Sequence, residues 1–362
     1  MESVRLTIDG QPVAVPSGTT VLKAAEQAGI RIPHLCYMEG LSISGGCRVC
    51  LVKIKGARGL AASCAMPVSE GMDVVTHDEE LTELRRITVE LLLSERPHEC
   101  LLCESNGACE LQDLAYELGI EQVRFPRRDP ALPVDESSEV IRIDPNRCIL
   151  CDRCVRTCAE RTVQDVYNVA NRGIASAIVA GMDQPLRETD CVSCGACVQA
   201  CPTGAITGKL ARFKGRPWEF RTVQTTCIYC GVGCQMDLYI KDDRIVKVRG
   251  TEDGPDNRGQ LCVKGRFGLD FVHHPDRLTR PLIRKDGKLE PATWEEALSL
   301  VAAKFSELKE TYGGDALAGL SSAKCTNEEN YLFQKLVRTT FGTNNVDHCA
   351  RLCHASTVVG LA

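Results

Sequence analysis

CILCDRCVRTC, residues 148–158, returns 43 positions later as CVSCGACVQAC, residues 191–201. All four cysteines and one valine coincide. A duplicated segment means two similar half-sites. The spacing C-x2-C-x2-C-x3-C suits a pair of iron–sulfur cubanes, in which the fourth cysteine of each run serves the other cluster. One [4Fe–4S] cluster is then expected on Cys148, Cys151, Cys154 and Cys201, and the other on Cys191, Cys194, Cys197 and Cys158. Pro202 follows the second run as the pattern expects, whereas Ala159 stands after the first. Structural zinc also takes four cysteines, and this run is where that alternative is weakest.

Three more sets flank the repeat. Upstream lies Cys36-x10-Cys47-x2-Cys50-x13-Cys64, with SISGG just before Cys47. Its glycines allow a loop to wrap a cluster and aim backbone N–H groups at the sulfurs. The set reads as a variant of the plant-type [2Fe–2S] pattern, lengthened in the first gap. Next comes Cys100-x2-Cys103-x5-Cys109, one ligand short of a cubane, with His98 two residues ahead as a candidate fourth ligand. Downstream, Cys227-x2-Cys230-x3-Cys234-x27-Cys262 closes a further four-cysteine set. It reads as a fourth [4Fe–4S] site, and here zinc competes best. One [2Fe–2S] and four [4Fe–4S] clusters take about twenty ligands. The sets supply nineteen cysteines, so the count itself calls for one non-cysteine ligand. Cys325, Cys349 and Cys353 are left over. Free cysteines are often small buried hydrophobes, and that is the expectation for Cys325 and Cys349.

The chain has 362 residues, 22 of them cysteine, and a formal charge of −5. A disulfide-rich secreted domain would be shorter and would carry a signal peptide. MESVRLTIDGQPVAV has neither a basic nor an apolar leader region, and no apolar run approaches the roughly 18 residues of a membrane span. The expectation is a soluble cytoplasmic protein with reduced, metal-bound cysteines and no nucleic-acid partner. VRLTIDGQPVAV alternates about Asp9-Gly10 as a hairpin does, and TTVLKAAEQAGI follows as a helix. DEELTELRRITVELLLSE and CELQDLAYELG read as helices, and RFPRRDP (124–130) as surface or linker. Farther on, TWEEALSLVAAKFSELKETYGG carries a Thr293–Glu296 capping box. DALAGLSSA and NEENYLFQKLVRTTFG read as a strand and a helix. The expected fold is α+β and multidomain. It comprises a β-grasp [2Fe–2S] domain over 1–78, a small helical cluster segment over 79–135, a two-[4Fe–4S] ferredoxin domain over 136–212 and a [4Fe–4S] domain over 217–275. Residues 276–362 are expected to open an α/β domain that looks cut short. The chain contains no G-x-G-x-x-G fingerprint, so NAD(P) or flavin chemistry is expected in a partner.

CIYCGVGC…CVKGR (227–266), SSAKCTNEENYLFQK (321–335) and DHCARLCHASTVVGLA (347–362) resemble the bis-molybdopterin oxidoreductases, most closely their formate dehydrogenases. Over all 362 residues the chain resembles the catalytic subunit of cytoplasmic, NAD(P)-linked molybdenum or tungsten formate dehydrogenases. Its first 210 residues are also similar to the electron-entry region of [FeFe] hydrogenases and, less fully, to the large iron–sulfur subunit of respiratory complex I. The resemblance implies that Cys353 ligates Mo or W beside two molybdopterin guanine dinucleotides. It implies that His354 lies next to the transferred hydrogen, and that Lys264 stands between a cluster and the pterin. The substrate pair would be formate and CO2, and the partner a flavin- and NAD(P)-binding iron–sulfur subunit or another redox protein. The chain departs from the family in two respects. The histidine usually found four residues before the three-cysteine set is Arg96 here. The family's pterin domains also run several hundred residues farther, so the chain reads as the N-terminal part of such a subunit.

Overall fold

The computed structural model describes residues 3–127 and 131–362. Residues 128–130, the end of the RFPRRDP segment, lie outside the described residues. The chain folds as two units, Met1–Arg221 and Thr222–Ala362.

The first unit opens with the expected hairpin, β1 (Ser3–Ile8) against β2 (Gln11–Pro16), turning at Asp9 and Gly10 with φ of 49° and 79°. Helix α1 (Val21–Gln27) is capped by Thr20 and buries Val21, Leu22, Ala24 and Ala25. Strands β3 (Leu51–Ile54), β4 (Ala61–Ala62) and β5 (Asp73–Val75) complete a sheet of order β2-β1-β5-β3-β4, with β1 and β5 parallel. This is the β-grasp arrangement. Its core holds Ile8, Leu22, Val52 and Val74 together with Cys50 and Cys64. Burial of each such Leu, Ile or Val is worth about 1.5–3 kcal/mol.

Helix α2 (Glu79–Ser94), capped by Asp78, buries Leu81, Arg85 and Val89 along one face. Arg85 docks it on the sheet, donating to the carbonyls of Val49, Leu51 and Thr76 at 3.3, 2.9 and 2.8 Å. Helix α3 (Glu110–Glu117) starts directly after Cys109 and adds Leu111 and Leu114 to a second core. The duplicated segment follows. Strands β6 (Ile141–Ile143) and β9 (Ile206–Gly208) pair antiparallel at its two ends. Between them lie the hairpin β7 (Tyr167–Ala170) with β8 (Ala177–Ala180) and the short helices α4 (Arg153–Arg156) and α5 (Ala196–Ala200). Past Arg156 the helix widens into a π turn, Thr157–Arg161, that carries Cys158.

The second unit begins with a three-stranded sheet of β10 (Arg221–Thr226), β11 (Gln235–Lys241) and β12 (Arg244–Gly250). Helix α6 (Val263–Phe267) packs on β12, and β13 (Leu282–Lys285) pairs with β14 (Lys288–Pro291). Helix α7 (Trp294–Tyr312) has the expected reciprocal capping box between Thr293 and Glu296. DALAGLSSA is strand only at β15 (Gly319–Ser321), because Gly314–Ala316 turns first. The next segment is helical as α8 (Asn327–Leu336) and then relaxes into a π turn through Phe341. Strand β16 (Val346–His348) runs parallel to β15, so β15-α8-β16 is the α/β unit expected from the alternation. Among the described residues no helix is long and apolar enough to cross a membrane.

Candidate iron–sulfur centres

The duplicated sequence folds as two copies of one loop. Leu150 and Ser193 sit at φ of 51° and 53°, and Asp152 and Gly195 at 56° and 71°. Each pair is separated by the repeat offset. Left-handed backbone at a non-glycine residue costs about 1–3 kcal/mol and persists where its surroundings impose it. Here it turns a backbone N–H onto sulfur: Leu150 donates to Cys148 Sγ and Ser193 to Cys191 Sγ, both at 3.4 Å. Cys148, Cys151, Cys154 and Cys201 line one cavity. Cys158, Cys191, Cys194 and Cys197 line a second, where the buried Tyr167 hydroxyl lies 3.6 Å from Cys197 Sγ. The fourth cysteine of each run thus lies in the other run's cavity. Residues four apart on a helix rise about 6 Å, which lets α4 and its π turn carry Cys154 to one cavity and Cys158 to the other.

His98, Cys100, Cys103 and Cys109 line a third cavity, closed by Arg147, Thr203 and Gly204. His98 Nε2 lies 3.1 Å from the Leu92 carbonyl oxygen. A carbonyl only accepts, so Nε2 bears the proton and Nδ1 keeps its lone pair. Burial pushes the His98 imidazolium down to about 4, with the charges of Arg147, Arg127 and Arg96 adding to the effect. The ring is therefore neutral at pH 7, the form that ligates metal. Arg96 is buried, and its charge acts on Cys148.

Cys36, Cys47, Cys50 and Cys64 are all buried in the β-grasp loop. The Cys36 N–H donates to Cys47 Sγ at 3.4 Å, and the N–H groups of Gly46 and Cys47 reach Cys36 sulfur. Gly45 takes φ of 64° to make that wrap. The four thiols share protons unequally. Sulfur contacts with Cys47 and Cys64 hold Cys36 far below the ordinary range, and contact with Cys64 lowers Cys50 to about 6. Cys47 and Cys64 are pushed far up by the same contacts.

The loop and two of the cavities, those of Cys109 and Cys151, are mechanically joined. Leu35, Cys36, Cys47, Val49, Leu111 and Ile149 form one apolar core, against which Cys109 and Cys151 pack. Arg156 ties the carbonyls of Cys36, Ser42 and Cys151 together at 2.6, 2.5 and 3.0 Å. Arg153 binds Glu110 through both nitrogens at 2.6 and 2.8 Å and the Tyr37 carbonyl at 2.8 Å. Sequence reasoning missed these arginines. Their signal was a positive charge written between cysteines bound for the interior, as in CDRCVRTC.

The donor set fits iron–sulfur groups. Burial pushes the thiols of Cys148, Cys151, Cys109 and Cys197 up to about 11, 12, 12 and 12, so their thiolates need a strong positive charge beside them. In the three cavities the sulfurs surround a space, and a cubane whose ligands bind separate irons suits that spread.

In the second unit the Cys227 N–H donates to the Cys234 carbonyl at 2.8 Å, and the Tyr229 N–H reaches Cys227 sulfur. Burial raises Cys227, with the charges of Cys262 and Cys230 adding to the effect and that of Lys264 opposing it. Cys262 precedes α6, where a Cβ on Gly265 would meet Cys227 Sγ at 3.4 Å. Cys230, Cys262 and Lys264 are exposed. Cys353 and His354 are also exposed, at the junction of α9 (Ala350–Cys353) and α10 (Ala355–Leu361). No hydrogen bond or ion pair among the described residues joins that pair to Lys264. The expectation that Cys325 and Cys349 are small buried hydrophobes fails. Cys325 is half-buried and Cys349 exposed, and the polar groups of Ser322 and Ala323 face the Cys349 sulfur. The Ala323 N–H donates to Cys349 Sγ at 3.3 Å and, with Ser322, holds its thiol below the ordinary value.

Known families match the chain in succession. A 2Fe-2S iron-sulfur cluster binding domain matches residues 1–79, and the NADH-ubiquinone oxidoreductase-G iron-sulfur binding region matches 85–124. The ferredoxin-like domain of NADH-quinone oxidoreductase subunit 3 matches 138–207. The molybdopterin oxidoreductase Fe4S4 domain matches 220–274, and molybdopterin oxidoreductase matches 277–362. NADPH-Fe(3+) oxidoreductase subunit alpha of Geobacter sulfurreducens is 39% identical over 98% of this chain and 41% of its own length. A G-type subunit of the NADH-quinone oxidoreductase of Rhizobium meliloti is 40% identical over 96% and 40%. A Staphylococcus aureus protein provisionally named a formate dehydrogenase is 32% identical over 99% and 40%. The chain thus spans about two fifths of the length of these curated relatives. A crystal structure of an NAD+-reducing [NiFe]-hydrogenase matches with a TM-score of 0.56 and 37% identity, over 59% of this chain and 91% of that one. With one cysteine-rich domain after another matching in order, this chain belongs to the iron–sulfur oxidoreductase subunits in which an NADH-quinone-oxidoreductase-G-like electron module leads into a molybdopterin oxidoreductase domain.

Proposed function

We propose that this chain is the relay and first part of the active site in a molybdenum or tungsten formate dehydrogenase. Formate gives CO2, a proton and two electrons, or the reverse. The electrons pass through one [2Fe–2S] and four [4Fe–4S] clusters to a flavin- and NAD(P)-binding partner. The observation that carries the relay is the set of three cysteine-lined cavities and one buried four-cysteine loop, with the loop and the cavities of Cys109 and Cys151 packed on a common core and Arg156 tying Cys36 to Cys151. The ligands would be the cysteine sets as spaced, with His98 completing the third cavity through Nδ1. The bis-molybdopterin guanine dinucleotide centre would supply the two-electron oxidation of formate. Cys353 would offer it a soft thiolate, His354 a group able to hold a proton near neutral pH, and Lys264 a positive charge near Cys227. The working place would be the cytoplasm, where thiols stay reduced. Formate as the substrate rests on the motif around Cys353–His354 and on the Staphylococcus relative.

A second reading is a relay for NAD(P)H-linked electron transfer without formate chemistry. The higher identity to the Geobacter and Rhizobium proteins favours it. The purified native complex separates the two. Formate-dependent reduction of NAD(P)+ or a dye that is lost in Cys353→Ser, with NAD(P)H-dependent dye reduction retained, supports the first. NAD(P)H-dependent activity alone, with no Mo or W bound, supports the second.

A further inference from the structure

We infer that Arg147 is a positioning residue that raises the reduction potential of the group held by Cys100, Cys103 and Cys109. The inference rests on the reading that this cavity holds an iron–sulfur cluster. One guanidinium nitrogen of Arg147 donates to Cys103 Sγ at 3.3 Å, and the side chain is only 14% exposed. Its Nε faces the buried Asp144 carboxylate at 3.3 Å, a carboxylate that Arg142 also reaches at 3.2 Å. Asp144 therefore fixes the fork while sharing its charge between two arginines. The Arg147 carbonyl accepts the Thr203 hydroxyl at 2.7 Å. Thr203 lines both this cavity and that of Cys148, and its hydroxyl lies 3.7 Å from Cys201 Sγ. Arg147 and Thr203 are thus part of the wall between two neighbouring cavities. Gly204 keeps the wall thin: a Cβ there would sit 2.5 Å from Cys103 Sγ and 3.4 Å from Arg147 Cδ.

The physical consequence has one sign. A guanidinium that donates to a ligating sulfur withdraws electron density and favours the more negative, reduced cluster. Arginine stays charged at every working pH, so the bias is permanent. The cavity of Cys148 would hold the redox partner with which one electron is exchanged, in either direction, with no bond formed or broken.

The test uses the native holo-complex. The signal of this cluster is identified by its loss in Cys109→Ala, and its midpoint is followed by redox titration with electron paramagnetic resonance. Arg147→Gln is expected to keep full iron content and to lower the reduced-to-oxidised ratio at fixed potential about tenfold, a shift of about 59 mV for one electron. Arg147→Lys, which keeps the charge and loses the fork, is expected to shift less. Full iron with an unmoved midpoint in Arg147→Gln overturns the role of Arg147 and leaves the cluster reading standing. Absence of this cluster from the unsubstituted complex instead overturns the cluster reading. Should neither variant load iron, pulsed resonance on the unsubstituted complex labelled with nitrogen-15 arginine decides. A nitrogen coupling on that cluster supports the contact, and its absence overturns it.

Discussion

His98 is held by one ring nitrogen, and among the described residues the other has no hydrogen-bond partner, which is what a ligand oriented by its surroundings requires. It stands two residues before Cys100, not four, so a shorter tether must bring it to the cavity. The turn from Pro97 to Cys100 supplies that, and His98 lines the cavity with all three cysteines. His98→Ala in the holo-complex should lose about four of about eighteen irons. Unchanged iron would exclude it as an essential ligand. Lys247 allows a pH prediction. Burial lowers its ammonium to about 8, with repulsion from Arg249 and Arg266 adding to it, although the Tyr239 ring lies 5.3 Å away. The folded state releases this proton below the unfolded value, so between about 8 and about 10.4 the unfolded chain binds more protons and stability rises with pH. Lys247→Met should remove that rise and be more stable than the parent at pH 7, read as the difference in urea midpoints. Equal slopes in both proteins would refute it. At this scale the cysteines were legible, because their spacing is local. The arginines were not: Arg156 acts on a carbonyl 120 positions away.

Short elements do most of the positioning. The hairpin, α1, α2 and the capped α7 were legible because alternation, helical periodicity and Thr-x-x-Glu are written within a few residues. The π turn after α4 was not, since nothing local signals it. It arises where Cys158 must serve a cavity other than that of Cys154, and widened turns often sit at such points. This arrangement predicts a crossed result. Cys201→Ala, in the second run, should deplete the cluster of Cys148, Cys151 and Cys154. Cys158→Ala, in the first run, should deplete the cluster of Cys191, Cys194 and Cys197. Resonance signals of the two variants should differ accordingly. Each variant losing the cluster of its own run would contradict the placement.

Across the whole molecule the cysteines carry the organisation. Four sets fall one after another along the chain, and in the first unit the loop of Cys36 and the cavities of Cys109 and Cys151 share one apolar core. Buried thiols raised far above neutrality are unfavourable as bare thiolates, so metal loading and folding of this unit should be coupled. The order of domains was readable from cysteine spacing. The substrate was not, because in the proposed reading it depends on the pterin-domain residues that would surround Cys353 and His354. The central claim, that these sets hold a chain of five iron–sulfur clusters, is tested most directly by metal and sulfide analysis of the purified native complex. The account predicts about eighteen irons and a matching amount of acid-labile sulfide for each copy of this chain, with zinc absent from the cysteine sets. Stoichiometric zinc in place of iron, or iron without sulfide, would contradict it.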